Sequence, residues 1–148
     1  MSGFLWGLIS AALAGSFMAI QGSLNAILSK KIGLWETNLI VHVLGVSLLI
    51  ILVLLVRVGD GAWSEAREAP WYSYLGGVFS ILIIYGVAAA ISKVGVTSAT
   101  TSIVFAQLVT AALIDHFGLF GLERIHFDLH RGVGLLFLII GARLILGK

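Results

Sequence analysis

The residues able to do chemistry in this sequence are few, mostly uncharged, and set about one helical turn apart. Gln21 and Asn25 form one pair and Asn38 and His42 another, while Tyr85 interrupts an apolar run and Thr100, Gln107 and Thr110 punctuate a later one. Residues three or four apart share a helix face, so each group presents amides, an imidazole or hydroxyls in one direction. Amides at that spacing can coordinate a polar solute, and can equally hydrogen-bond to a neighbouring helix. His42 can carry a proton or touch a substrate, and a single histidine on a helix face also serves as a packing hydrogen-bonder. Tyr85, which with Ser80 and Ser92 interrupts the apolar third span, offers both a ring face and a hydroxyl. Asp115 and His116 stand together at the end of an apolar run, able either to titrate or to anchor that end beside the turns at Gly118 and Gly121. Cysteine is absent, which removes thiolate nucleophiles, disulfides and cysteine metal sites. With no metal cluster and no paired carboxylates at workable spacing inside the apolar runs, an enzyme ranks last, and no metal or cofactor is expected.

The elements that position these groups follow from apolar content. Of 148 residues, 59% are apolar and 11% charged, and the mean hydropathy is +1.10; this is more apolar surface than one small core can hide. About 20 mostly apolar residues cross the roughly 30 Å hydrocarbon layer as a helix. Runs of that kind predict spans at about 4–29, 35–56, 71–92, 96–115 and 129–147, the last near the lower length limit. They are continuously apolar, without the alternation of a barrel strand. The expected fold is therefore an all-α integral membrane protein of five transmembrane helices in a single domain, 1–148. Short connections are expected at Lys30–Leu34 and Lys93–Gly95, and longer ones at Arg57–Pro70 and His116–His130. Trp6, Trp35, Trp71, Tyr72 and Tyr74 mark interfaces. Ala12-Leu13-Ala14 before Gly15 imitates a signal cleavage site, but no Lys or Arg precedes the run, which continues to Ser29; an uncleaved first span is expected.

At 100° per residue, Ile9, Leu13, Phe17, Ile20, Leu24 and Ile27 make a bulky stripe suited to lipid, and Gly7, Ala11, Gly15, Ala19 and Ser23 a small-residue stripe suited to close helix packing. Gln21 and Asn25 fall in a third sector, expected to point into the protein or a cavity. Gln107, deep in the fourth span, has no route to water except through a cavity or a partner. In the fifth span Gly134, Leu138, Gly141 and Ile145 form a packing seam, and Arg143 is expected to snorkel toward headgroups near Lys148. The net charge is only +2 and the nine basic residues are scattered, so no nucleic-acid partner is indicated. Across five spans, Arg57, Arg67, Arg124 and Arg131 share one side, against Lys30, Lys31, Lys93, Arg143 and Lys148 on the other. That near balance allows insertion in both orientations and an antiparallel homodimer. The alternative is that a partner chain, such as a paired homologue, or the placement of Lys30 and Lys31 fixes a single orientation.

Tyr74 through Leu146 resembles one half of a drug/metabolite transporter superfamily protein: a thin third helix, the Lys93-Val94-Gly95 link, a threonine-rich fourth helix, Gly121-Leu122-Glu123, and a glycine-bearing fifth helix. More narrowly, Gln21-Gly22-Ser23-Leu24-Asn25, Gln107-Leu108-Val109 and Ile114-Asp115-His116-Phe117-Gly118-Leu119-Phe120-Gly121 resemble the YdcZ-like family of small bacterial inner-membrane proteins. The resemblance implies half of a ten-helix inverted-repeat (EamA-type) transporter and export of a small metabolite or drug-like solute through alternating access by a dimer. Its substrate-facing residues would be Gln21, Asn25, Tyr85, Thr100 and Gln107, with the first, third and fourth helices lining a midplane site. Small multidrug transporters of the superfamily place a carboxylate deep in the first helix, and here that helix has none. Proton coupling then falls to His42, Asp115 or His116, or is absent. A site lined by amides, Thr and Tyr favours neutral or zwitterionic solutes over permanent cations. A non-transporting assembly or regulatory subunit, and a narrow channel, are the alternatives that the same stripes allow.

Overall fold

Backbone polar groups inside a bilayer must be satisfied within their own segment, and long continuous helices meet that demand here. The structure is a computed structural model and describes residues 2–59 and 61–147. In chain order the helices are α1 (Ser2–Ile32), α2 (Leu34–Ile50), α3 (Leu75–Val94), α4 (Val96–Phe117) and α5 (Leu129–Leu146). Among the described residues there is no strand. Five segments among those residues are long and apolar enough to cross a membrane: Gly3–Ile32, Leu34–Leu55, Trp71–Val94, Val96–Phe117 and Leu129–Leu146. The predicted fifth span reaches 18 residues, about 27 Å at 1.5 Å per residue, close to the thickness it has to match.

The chain divides into two compact units, Met1–Lys93 and Val94–Lys148. In the first, the expected loop at Lys30–Leu34 shrinks to a single residue. Lys30 and Lys31 belong to the last turn of α1, where their charge complements the helix dipole. Gly33 alone separates α1 from α2, at φ +98° and ψ 160°, a region open essentially to glycine. Its N–H donates to the Ser29 carbonyl (2.9 Å) and its own carbonyl accepts from the Thr37 N–H (3.2 Å) and the Thr37 hydroxyl (2.7 Å). One glycine thus ends one helix and starts the next. In the second unit, Gly95 at φ +83° and ψ 167° caps α4 in the same conformation, accepting from the Ala99 N–H at 3.1 Å. The expected link at Lys93–Gly95 is likewise shorter, because Lys93 and Val94 are helical.

After Ile50, α2 widens into a π-type stretch, Ile51–Leu55, and ends at Arg57, whose φ is +58°. A 3-10 turn, Trp71–Tyr74, leads into α3, and the Tyr74 hydroxyl donates to the Ala66 carbonyl in the preceding loop. The core of the first unit is thin and built from small or polar residues: Asn25, Ala26, Thr37, Asn38, Ala88 and Ile91 are buried. At Gly22 the first and third helices approach so closely that a Cβ would lie 2.7 Å from Val87 Cγ1 and 2.9 Å from Ile91 Cδ1. The bulky stripe of α1, from Ile9 to Ile27, is exposed throughout, as a lipid-facing surface requires.

In the second unit α4 packs along α5. Gly118, left-handed at φ +62°, closes α4 by donating to the Asp115 carbonyl, and the Asp128 carboxylate caps α5 by accepting from the Arg131 N–H at 2.9 Å. Arg143 is exposed near the end of α5; Lys148, its expected neighbour, lies outside the described residues.

Candidate functional site

The polar residues of α2 and α3 meet along one seam. Trp35, Asn38 and His42 follow one another at helical steps on α2, and their partners run backwards along α3. The ring of Trp35 packs on that of Tyr85 with centroids 4.6 Å apart. The Asn38 side-chain Nδ2 donates to the Ile81 carbonyl at 2.7 Å, and His42 Nε2 lies 3.0 Å from the Ser80 hydroxyl oxygen. The descending order 85, 81, 80 against 35, 38, 42 is the register of two antiparallel helices. His42 is eight residues beyond Leu34, about 12 Å along the axis, so the seam reaches well into the apolar layer.

Each group in the seam is constrained differently. Asn38 is 3% exposed, and its Oδ1 has no hydrogen-bond partner among the described residues; an unpaired buried acceptor is costly and invites a donor. His42 Nδ1 lies 2.9 Å from the Asn38 carbonyl oxygen, which can only accept, so Nδ1 carries a hydrogen. Ser80 Oγ also lies 2.7 Å from the Gly77 carbonyl oxygen, so its single proton has two acceptors in reach, that carbonyl and His42 Nε2. Thr37, 1% exposed, is spent on Gly33 and holds the α1–α2 joint.

On α1 the predicted pair separates. Asn25 is buried and its side chain makes no hydrogen bond among the described residues, whereas Gln21 is exposed. Positions four apart differ by about 40° around a helix, enough for Asn25 to enter the packed side with Ala26 while Gln21 stays outside it. Tyr85 is half-buried in the seam.

The second unit carries Thr100, half-buried, and Gln107, exposed near the middle of α4. Asp115 and His116 organise the connection to α5. The Asp115 carbonyl accepts from the Ile125 N–H at 2.8 Å and its carboxylate lies 3.7 Å from the Arg131 guanidinium. The His116 carbonyl accepts from Arg124 Nε at 2.9 Å, and its Nδ1 accepts from the Phe127 N–H at 3.2 Å. The two backbone carbonyls and the His116 ring hold the loop folded back on the end of α4, while the Asp115 carboxylate reaches the first turn of α5. A groove of about 340 Å³ between α4 and α5, lined by Leu108, Ala111, Gly134 and Leu138, ends at the Asp115–Arg131 ion pair.

In the sequence Trp35 marks an interface and Ser80 only interrupts an apolar run, yet each is half of a seam contact. The signal for Ser80 was present: a hydroxyl on an apolar helix, with a histidine on the preceding one, needs a partner. Nothing in the sequence marked the Ile81 carbonyl, since any backbone position could have received Asn38.

Five membrane-length helices, with polar side chains kept for an internal seam, define a multi-pass helical membrane protein. Residues 6–144 match the family model DMT_YdcZ, described as "Putative inner membrane exporter, YdcZ", and the chain belongs to that family. It is accordingly a multi-pass protein of the inner membrane, from a family of exporters. No curated protein and no solved structure matches it significantly.

Proposed function

We propose that the chain is a transport subunit that moves a small neutral or zwitterionic solute by alternating access, working as a homodimer whose copies are antiparallel. The carrying observation is that amides stand unpartnered in membrane-length helices: Asn25 is buried without a hydrogen bond among the described residues, and Gln21 and Gln107 are exposed on α1 and α4. A lone chain in lipid would hold the Gln21 and Gln107 amides against hydrocarbon, which is unfavourable; a second copy or a wet cavity relieves it. The small-residue stripe supports the same reading, because a Cβ at Gly7 or Gly15 would meet nothing within 4 Å. That face is free to receive another helix. The near-even distribution of basic residues supports the antiparallel arrangement.

In this reading Gln21, Asn25, Tyr85, Thr100 and Gln107 are the solute-contacting residues. Asp115 and His116 are engaged in folding the α4–α5 connection, which leaves His42 as the coupling group. Proteoliposomes holding the purified chain test the proposal, with a solute selected by a thermal-shift screen. Saturable uptake with counterflow is expected. Large unsaturable flux would make it a channel, and flux appearing only with a second, different chain would make it a subunit of another assembly. A C-terminal tag reached from both faces of the membrane is expected; access from one face alone removes the antiparallel arrangement.

A further inference from the structure

We propose that His42 and Ser80 form a reversible proton-binding site within the membrane span, in which the Ser80 hydroxyl reverses its donor direction when His42 gains its second proton. The site rests on geometry; its use in coupling rests on the transport reading above.

Three distances define it. His42 Nδ1 is 2.9 Å from the Asn38 carbonyl, His42 Nε2 is 3.0 Å from Ser80 Oγ, and Ser80 Oγ is 2.7 Å from the Gly77 carbonyl. Both carbonyls can only accept, and the hydroxyl has one proton to give. Nδ1 therefore keeps its hydrogen throughout. In the neutral imidazole, Nε2 is a lone pair and the Ser80 O–H must point at it. In the imidazolium, Nε2–H donates to Ser80 Oγ and the O–H turns to the Gly77 carbonyl. One proton arrives at Nε2, the serine proton rotates without transfer, and every hydrogen in either state has an acceptor. No heavy atom has to move. A histidine that meets only one of these states would lose a hydrogen bond on changing charge, which is costly inside a membrane.

The electrostatic surroundings are sparse. The charged residues of α1 are Lys30 and Lys31 in its last turn, the titratable residues of α3 are Tyr85 and Lys93, and α2 adds only Glu36, six residues before His42. Tyr85 is engaged with Trp35. With no carboxylate level with the ring on these helices, protonation places a new positive charge in the seam. Such a site is compatible with a neutral solute and opposes a cationic one.

Nitrogen-15 NMR of the histidine-labelled full chain in nanodiscs, with the His42 signals assigned by His42→Gln, reads the site without any solute. The neutral ring is expected as the Nδ1–H tautomer, and lowering the pH is expected to protonate Nε2. Ser80→Ala removes a charge-assisted bond from the imidazolium and only a neutral one from the imidazole. It is therefore expected to weaken proton binding about tenfold and to move the conversion to lower pH, while Ser80→Thr keeps it in place. A neutral ring protonated on Nε2 would overturn the proposal, as would a conversion that Ser80→Ala leaves unmoved. Flux assays are separate. A switching histidine in a protein without flux would retain the proton site and remove the transport reading, and flux with a non-switching His42 would do the reverse.

Discussion

The rings of Trp35 and Tyr85 stack at 4.6 Å between centroids with planes tilted by 36°, so the residue that opens α2 is bound to the middle of α3. Aromatic pairs contribute about 0.5–1.5 kcal/mol beyond their buried area. Trp35→Ala and Tyr85→Ala are expected to destabilise the chain with a coupling of that size in a double-mutant cycle, measured by thermal unfolding in detergent. Tyr85→Phe keeps the ring and removes the hydroxyl. It is expected to leave stability unchanged and to weaken transport, which separates packing from solute contact; full transport by Tyr85→Phe would assign Tyr85 to packing alone.

Asn38 gains one hydrogen bond, to the Ile81 carbonyl, and leaves its Oδ1 unpaired. Interhelical polar contacts in membranes average about 0.6 kcal/mol, and the unpaired acceptor works against even that. Asn38→Leu is therefore expected to change stability by less than about 1 kcal/mol, read by thermal unfolding in detergent. A large loss of folded protein would show that Asn38 is structural glue.

The five spans and the lipid-facing stripe of α1 were legible because bulk hydrophobicity and helical period fix them directly. The seam was legible only as two halves. Asn38 and His42 shared a predicted face, and Ser80 and Tyr85 were visible as interruptions, but their pairing depends on the register between α2 and α3, which the path of the long connection between them sets and composition does not. The split between Gln21 and Asn25 was hidden for a related reason: sectors about 40° apart look alike in a helical projection until a neighbour covers one of them. The role of Asp115 and His116 was open between titration and anchoring, and their bonds to Arg131, Arg124, Ile125 and Phe127 depend on a loop path that the residue types did not encode.

The joint itself is a second target. Gly33 and Gly95 hold the same positive-φ, extended-ψ conformation, and a side chain there costs about 1–3 kcal/mol. At Gly33 a Cβ also meets the Glu36 carboxylate, whereas at Gly95 it meets nothing within 4 Å. The Glu36 head is the free end of a flexible side chain and can swing away. Gly33→Ala and Gly95→Ala are accordingly expected to lower stability by similar amounts, and adding Glu36→Ala to Gly33→Ala to restore little. Strong rescue by Glu36→Ala would locate the cost in the clash instead of the backbone.

Glycines on α1 divide into two kinds that one experiment can tell apart. Gly22 is packed inside the chain against Val87 and Ile91, while Gly7 and Gly15 face open space. Val87 is β-branched and stiff, so Gly22→Ala forces α1 away from α3 and is expected to destabilise each copy by about 1–3 kcal/mol, the usual cost of overpacking. Gly15→Leu meets nothing within its own chain. It is expected to leave the thermal unfolding of the single copy unchanged and to shift the detergent-solubilised protein from dimer to monomer by light scattering, because a bulky residue prevents the close approach of a second helix. A Gly15→Leu protein that remains dimeric would move the contact between copies off this face of α1.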